Sequence, residues 1–249
     1  MLEVKDLSIS FGGLKAVDQL TFTVTEGSIY GLIGPNGAGK TTVFNMISRF
    51  YTPDEGSILF LENELLDYKI HEVISLGLVR TFQNVEIIKN MSVMDNLLIG
   101  LHHQMDTNFF TEILGLAKKK EKDFHKRARD ILKFLGLEDF ENEIAGAQAY
   151  GIQKLIELGR TLVTNPKMII LDEPAAGMNH SETKNLGILI KRINKELGIT
   201  ILLVEHDMDL VMSICNQITV INFGKKIAEG TPSEIRNNIE VQKAYLGGE

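Results

Sequence analysis

The chain has 249 residues, which is long enough to bury a sizeable core. Of these residues 44% are hydrophobic and 24% charged, a composition that excludes a disordered chain. Its 26 basic and 33 acidic residues give a net charge of −7, which argues against a nucleic-acid binder because phosphate neutralisation requires a basic surface. Because Cys215 is the single cysteine, an intrachain disulfide is excluded. We also expect no secretory leader before the first strand, and together these features predict a reducing, cytoplasmic location.

Alternating apolar residues at the start of the chain predict an antiparallel β layer. Apolar and polar side chains alternate with the period of two that is typical of half-buried strands. The apolar positions of this pattern are Leu2, Val4, Leu7, Ile9, Phe22, Val24, Ile58 and Phe60.

A glycine-rich segment follows the continuous apolar run from Ile29 to Ile33, which is typical of a strand buried on both faces. The segment fits the phosphate-binding pattern G-x-x-x-x-G-K-[ST] between a strand and a helix. Its glycines allow backbone N–H groups to surround phosphates, Lys40 supplies a positive charge, and the Thr41 hydroxyl is a ligand for Mg²⁺. The residues predicted to bind the nucleotide are Gly34, Pro35, Asn36, Gly37, Ala38, Gly39, Lys40, Thr41 and Thr42.

A proline-free stretch from about Val85 to Leu137 predicts a helical lobe inserted between the phosphate loop and the next core strand. Helices are expected at Val93–Leu101 and Lys119–Leu135. The lysine-rich run at 118–123 begins the second of these, and we interpret it as a solvated face of an amphipathic helix, with contact to lipid headgroups as the alternative.

Two further apolar runs, Met168–Leu171 and Ile199–Val204, each end in polar residues, as buried strands do. Both runs are much shorter than the about 20 apolar residues that a membrane helix needs. Asp172 is placed for the Mg²⁺ shell, and Glu173 for polarising a water in line with the γ-phosphate. His206, after the second run, is a candidate sensor of the terminal phosphate. Glycine-containing turns near the C-terminus predict a small hairpin followed by a final helix.

The order of these motifs resembles the ATP-binding subunit of ABC transporters over the whole chain. Within that family, several phrases are similar to the subgroup that serves branched-chain amino acid importers. The family motifs are the phosphate loop, Thr81-Phe-Gln83-Asn, Gln148-Ala-Tyr-Gly151-Ile152, Leu171-Asp-Glu-Pro174, Ala176-Gly-Met-Asn179 and Glu205-His-Asp207. The subgroup phrases are Phe11-Gly-Gly-Leu-Lys-Ala-Val17, Val79-Arg-Thr-Phe-Gln-Asn84, Ala149-Tyr-Gly151, Glu173-Pro-Ala-Ala-Gly177 and the ending from Gly230 to Glu249.

The resemblance implies an α/β fold: a P-loop NTPase core of the ABC ATPase type with an N-terminal antiparallel β layer and an inserted helical lobe. It implies one domain over residues 1–249, with a catalytic core at about 1–84 and 160–249 and the helical lobe at about 85–159.

The resemblance also implies roles for single residues. Phe11 would stack on adenine, Gln83 would touch both Mg²⁺ and the membrane subunit, and His206 would be the switch histidine. The signature loop, formed by Gln148, Ala149, Tyr150, Gly151 and Ile152, would cap the ATP held by an opposing subunit, and Asn179 would lie in the D-loop.

The implied function is ATP binding and hydrolysis, with Mg²⁺, that drives an integral-membrane permease from the inner face of the membrane. A periplasmic or extracellular binding protein would take part indirectly, and no nucleic acid is expected. The alternatives are an ABC ATPase for another cargo (urea, amides or lipid export), a soluble ABC ATPase outside transport, and a nucleotide-gated regulator without turnover.

Three positions depart from the general family pattern. Ala149 stands where the family has a serine that binds the γ-phosphate, Ile152 replaces a polar residue, and Asn179 stands where many relatives have aspartate. Because the loop has fewer side-chain donors, we expect this chain to pair with a second, non-identical ATPase subunit.

Overall fold

The computed structural model describes residues 1–81, 85–102 and 116–246, which form both strands and helices. The strands are β1 (Leu2–Phe11), β2 (Leu14–Val24), β3 (Ile29–Ile33), β4 (Glu55–Phe60), β5 (Asn63–Glu64), β6 (Leu78–Arg80), β7 (Met168–Asp172), β8 (Thr200–Val204), β9 (Gln217–Asn222) and β10 (Lys225–Gly230). The helices are α1 (Lys40–Ile47), α2 (Ile70–Val73), α3 (Val93–Ile99), α4 (Leu116–Leu135), α5 (Tyr150–Leu162), α6 (His180–Leu197), α7 (Met208–Ile214), α8 (Pro232–Asn237) and α9 (Ile239–Leu246). No helix of these described ranges is long and apolar enough to cross a membrane.

The chain divides into two compact units, and the first consists of residues 1–83 and 167–249. An antiparallel sheet in this unit has the order β2-β1-β4-β5, and a six-stranded sheet has the order β10-β9-β3-β8-β7-β6. In the larger sheet β9, β3, β8, β7 and β6 run parallel, and only the β10 edge is antiparallel. The predicted α/β fold with an N-terminal antiparallel layer is confirmed.

A hydrophobic core joins the two sheets and α1. It is built from the alternating apolar residues of the first strands and from the continuous apolar runs of the parallel strands, as the sequence pattern predicts. Its fully buried members include Leu2, Val4, Phe22, Phe44, Ile58, Phe60, Met168, Ile170, Leu202 and Val204.

The parallel strands bring three polar segments to one edge of the sheet. β8 lies between β3 and β7, with Leu32 paired to Val204 and Val204 paired to Asp172. Because parallel strands end at the same edge, the loops that follow β3, β7 and β8 meet there. These loops are the phosphate loop, the segment after Asp172 and the segment that contains His206.

The second unit, residues 84–166, is helical and has a core of its own. This unit ends at residue 166, whereas the family resemblance implies a helical lobe that ends at about residue 159. The helices predicted around Val93 and before Leu135 are confirmed as α3 and α4. On α4 the apolar stripe is buried, whereas Lys122, Lys126 and Lys133 are exposed, as expected for a solvated face. The buried core of the unit contains Val93, Leu97, Phe124, Ala128, Leu132 and Ile156.

Candidate active site

The phosphate loop is shaped by glycines that no other residue could replace at two points. A Cβ atom on Gly34 would lie 2.1 Å from the carbonyl oxygen of Ile221. Gly39 has a φ of 104°, and its Cβ would lie 2.7 Å from the carbonyl oxygen of Ala16. At these two positions the loop approaches the neighbouring backbone more closely than a residue with a Cβ atom would allow. Glycine permits this close approach in phosphate-binding loops.

Helix α1 begins at Lys40, directly after the phosphate loop, and its first N–H groups have no side-chain cap. Gly39 is its N-cap and provides no side-chain cap, and its first turn contains no acidic residue. Uncapped N–H groups and the positive end of the helix dipole together favour an anion at this terminus.

The Lys40 side chain is buried and folds back over the loop. Its Nζ donates to the carbonyl oxygens of Gly34 at 2.7 Å and Pro35 at 3.0 Å. Burial lowers the pKa of Lys40, and the nearby carboxylates of Glu173 and Asp172 offset part of that effect. A phosphate in the loop would supply the counter-charge that this buried ammonium group needs.

A cavity of about 330 Å³ adjoins the loop and is lined by most of the residues predicted to bind the nucleotide. Phe223 and Leu14 form apolar parts of its wall, although they are 83% and 73% exposed. Phe223 lies in the two-residue turn between β9 and β10, a turn held against the loop by a hydrogen bond from Gly224 N to Ala38 O of 2.9 Å. The cavity is lined by Leu14, Lys15, Ala16, Asn36, Gly37, Ala38, Gly39, Lys40, Thr41, Thr42, Glu173 and Phe223.

Phe11, the residue expected to stack on adenine, does not line this cavity. It is 45% exposed and packs edge-on against Tyr51, with ring centroids 5.3 Å apart. Its role toward the nucleotide stays a prediction. Phe223 was missed at the sequence level because its approach to the loop depends on the hairpin turn.

Asp172 ends β7 and forms a buried ion pair that the sequence did not predict. Its Oδ2 accepts a 2.6 Å bond from Nη2 of Arg80, and the two side chains are only 7% and 9% exposed. Arg80 also donates to Oδ1 of Asn45 at 2.8 Å, and its guanidinium lies 5.7 Å from the centre of the Phe44 ring. Arg80 therefore links the strand before Gln83 to α1 and to the predicted Mg²⁺ ligand.

Glu173 and His206 face each other across the ends of β7 and β8. Nδ1 of His206 lies 3.8 Å from Oε2 of Glu173, with His206 58% and Glu173 22% exposed. Glu173 has a φ of 47°, a left-handed conformation that is uncommon outside glycine and that concentrates at functional sites. The structure thus brings together the predicted base, the predicted phosphate sensor and Lys40.

Glu205, directly before His206, is completely buried and was not assigned a role from the sequence. Its carboxylate accepts hydrogen bonds from the backbone N–H groups of Ala175, His206 and Asp207. Asp207 in turn caps α7 by accepting from Leu210 N at 2.9 Å.

The predicted signature loop lies in the helical unit at the start of α5. Ala149 is the N-cap and makes no side-chain hydrogen bond, which leaves the N–H groups of Gly151 and Ile152 without a capping partner. Tyr150 is 49% exposed, and a Cβ on Gly151 would meet open space. The Ile152 side chain packs against the core of the unit, which explains an apolar residue at this position.

Asn179, which is predicted to lie in the D-loop, also caps a helix. It caps α6 by accepting from Glu182 N at 3.0 Å, while the Glu182 side chain accepts from Asn179 N at 2.8 Å. This capping box was visible in the sequence as Asn followed three positions later by Glu. Gln83 lies outside the described residues.

Comparison with known proteins decides the family. Residues 17–176 match the family described as ABC transporter. The chain belongs to the ABC transporter family. It is therefore a nucleotide-binding ABC ATPase, and the predicted ABC type of its fold is confirmed. Residues 225–249 also match the family described as branched-chain amino acid ATP-binding cassette transporter.

Individual relatives match this ABC ATPase along nearly its full length. The high-affinity branched-chain amino acid transport ATP-binding protein BraF of Pseudomonas aeruginosa is 44% identical over 249 residues, covering 99% of this chain and 98% of the relative. The protein LivG of Escherichia coli, with the same description, is 43% identical with the same coverage.

Solved cassettes share the fold of this ABC ATPase. A nucleotide-free ATP-binding cassette from an ABC transporter has a TM-score of 0.86 and 34% identity, covering 100% of this chain and 99% of that one. A cassette in its ADP conformation has a TM-score of 0.87 and 33% identity, with the same coverage.

Proposed function

We propose that this ABC ATPase energises the uptake of branched-chain amino acids through a membrane permease. The observation that carries this proposal is the match of residues 225–249 to the branched-chain amino acid cassette family, because this segment lies outside the part shared by ABC ATPases in general. The names of BraF and LivG support the same substrate class.

The proposed chemistry is hydrolysis of ATP by positioning and electrostatics. Backbone N–H groups of the glycine loop and the Lys40 ammonium would hold the phosphates, and His206 would contact the γ-phosphate. Glu173 would orient and polarise the attacking water, a role that suits its partly exposed carboxylate beside His206.

The donor set beside the loop fits Mg²⁺, which prefers oxygen ligands and keeps several waters. Thr41, Gln83 and Asp172 would hold the ion. Arg80 occupies Oδ2 of Asp172, so the second oxygen of that carboxylate is the one offered to the ion or its waters. Bound there, Mg²⁺ would neutralise charge on the phosphates.

The proposed assembly contains two ATPase subunits, with this chain at the inner face of the membrane and each phosphate loop covered by the signature loop of the other subunit. The permease would receive the motion of the helical unit, and a binding protein outside the membrane would deliver the cargo to the permease. The second ATPase subunit is proposed to be non-identical because Ala149 lacks the family's serine hydroxyl.

The experiment that tests the function is co-purification of the full chain with a permease, followed by reconstitution into vesicles. With ATP on the side of this chain, we expect uptake of leucine, isoleucine or valine, and no uptake when this chain carries Glu173→Gln. Transport of urea or an amide instead would correct the cargo. Failure of any permease to co-purify would favour the soluble ABC ATPase.

A further inference from the structure

The Glu205 carboxylate occupies a fully buried position at the end of β8. Its Oε1 accepts from Ala175 N at 2.8 Å, and its Oε2 accepts from His206 N at 3.0 Å and Asp207 N at 3.3 Å. The residue is 0% exposed. Hydrogen bonds to an ionised carboxylate are stronger than bonds between neutral groups.

The three donors belong to two different turns. Ala175 lies in the turn after β7, which is closed by a bond from Ala176 N to Glu173 O of 3.0 Å. His206 and Asp207 form the turn after β8. A single side chain therefore connects the turn that carries Glu173 with the turn that carries His206.

Backbone pairing connects the two segments at the ends of β7 and β8. A hydrogen bond there runs from Glu173 N to Val204 O at 2.9 Å. Beyond it, the Glu205 carboxylate supplies a connection from the first turn to the second. The Glu173 and His206 side chains, which lie 3.8 Å apart, are carried by these two turns.

We propose that Glu205 is a positioning residue for ATP hydrolysis, which sets the placement of Glu173 relative to His206 without touching the nucleotide. The inference rests on the roles proposed above for these two residues. Misplacement of a catalytic group by about 1 Å can cost about 100-fold in rate, so a loss of this connection should be visible in turnover.

The isosteric change Glu205→Gln separates the two arms of the connection. A glutamine has one acceptor oxygen, and its NH₂ group is a donor. Whichever way the amide points, it faces either Ala175 N or the N–H groups of His206 and Asp207 with a donor. One turn is then released while the size of the side chain is kept.

In the assembled complex of the full-length chain with its permease and second ATPase subunit, we expect Glu205→Gln to lower kcat for ATP hydrolysis at least 10-fold, while the Kd of the chain for a fluorescent ATP analogue changes less than 3-fold. Hydrogen exchange of the Ala175 or Asp207 amide should become at least 10-fold faster. Glu64→Gln is the control, because this carboxylate in β5 also accepts hydrogen bonds from two backbone N–H groups but lies in the antiparallel sheet, and it should change none of the three. An unchanged kcat in Glu205→Gln would overturn the inference.

A double-mutant cycle distinguishes positioning from a general structural role. In a His206→Ala background, Glu205→Gln should lower kcat by less than 3-fold further, because the group to be positioned is gone. The same fold-loss in both backgrounds would overturn the inference. The shorter variant Glu205→Asp keeps the charge and both acceptors but not the reach, and it should lose turnover too, which keeps the test available if the glutamine variant does not fold.

The cycle also separates this inference from the proposed function. If His206→Ala and Glu173→Gln keep normal turnover, the roles proposed for these residues are wrong, and the inference is overturned with them. If these variants lose turnover and Glu205→Gln does not, the inference alone is overturned.

Discussion

Lys40 and Glu173 lie in the same cavity but are expected to act at different steps. The Lys40 ammonium is desolvated and bonded to neutral carbonyls, and it therefore gains most when phosphates enter the loop. Glu173 carries a negative charge, which contributes nothing favourable to the binding of an anion. Binding and hydrolysis should accordingly depend on different residues of this pair.

We expect Lys40→Met to weaken ATP binding at least 10-fold, and not to destabilise the nucleotide-free protein, because methionine removes a buried charge at similar volume.

Glu173→Gln should retain ATP affinity and lower hydrolysis by about 100-fold or more, since the amide cannot accept a proton. Titration of the chain with a fluorescent nucleotide measures ATP binding by both variants, and phosphate release by the assembled complex measures hydrolysis. Near-native hydrolysis by Glu173→Gln would show that the base lies elsewhere.

The Arg80–Asp172 pair is buried, and removing Arg80 leaves the buried Asp172 carboxylate without the charge that it contacts directly. We expect Arg80→Met to lower the free energy of unfolding by about 3 to 5 kcal/mol, as for other buried pairs. Arg192→Met is the matched control, since its pair with Glu196 is about half exposed and worth less than about 0.5 kcal/mol. Guanidinium unfolding measures both variants.

A second substitution checks the cause. In Arg80→Met with Asp172→Asn, both charges are gone, and part of the lost stability should return. If the double variant is less stable than Arg80→Met alone, the loss comes from the contacts of Arg80 with Phe44 and Asn45 rather than from the unpaired carboxylate.

The sequence predicted the elements of the site better than their connections. Short apolar runs followed by Gly34, Asp172 or His206 identify strand ends, because burial on both faces leaves no alternation. The partners of Arg80 and Glu205 depend on which strand lies beside which, and Arg80 is 92 positions from Asp172 in the chain. A local pattern holds no information about such a pair.

At the scale of elements, the start of α5 lacks a cap. Ala149 occupies the N-cap, where serine would accept a hydrogen bond from the N–H of Gly151 or Ile152. We expect Ala149→Ser to raise the free energy of unfolding by about 0.5 to 2 kcal/mol. Thermal or urea unfolding measures this gain, and a neutral or lower stability would mean that these N–H groups already have other partners.

The packing of β3 against the end of α7 shields the only cysteine. A Cβ on Gly31 would lie 3.1 Å from Sγ of Cys215, whose side chain is 8% exposed. Burial raises the pKa of the Cys215 thiol to about 12. At pH 8 the reactive thiolate is therefore about one part in 10⁴ of the folded protein, compared with about a quarter of a free thiol.

We expect Cys215 to react with a thiol reagent at pH 8 at least 1000-fold more slowly in the native protein than in 6 M guanidinium, about the ratio of the two thiolate fractions. Between pH 7 and 9 the native rate should rise about tenfold per unit, because the folded pKa lies above this window. The unfolded rate should level off above about pH 8.5. Rapid labelling of the native protein would contradict the packing of α7 against β3.

At the scale of the whole molecule, the composition of the signature loop decides whether two copies of this chain can pair around ATP. The proposed signature loop of this chain lacks the serine hydroxyl that the family resemblance places on the γ-phosphate, and one such bond to a charged acceptor is worth about 1.5 to 3 kcal/mol. A homodimer carries this loss twice, which corresponds to about 10² to 10⁴ in its association constant. A partner with a complete loop avoids half of it.

We therefore expect the isolated chain to stay mainly monomeric in sedimentation experiments, even as Glu173→Gln with saturating Mg-ATP, and to dimerise when a second, non-identical ATPase subunit is added. Ala149→Ser should strengthen ATP-dependent homodimerisation. Ala149→Gly is the control, because glycine is an acceptable N-cap but has no hydroxyl to offer a phosphate. A stable ATP-dependent homodimer of Glu173→Gln alone would contradict the non-identical partner, and equal gains from serine and glycine would assign the effect to the cap of α5 instead of the missing bond.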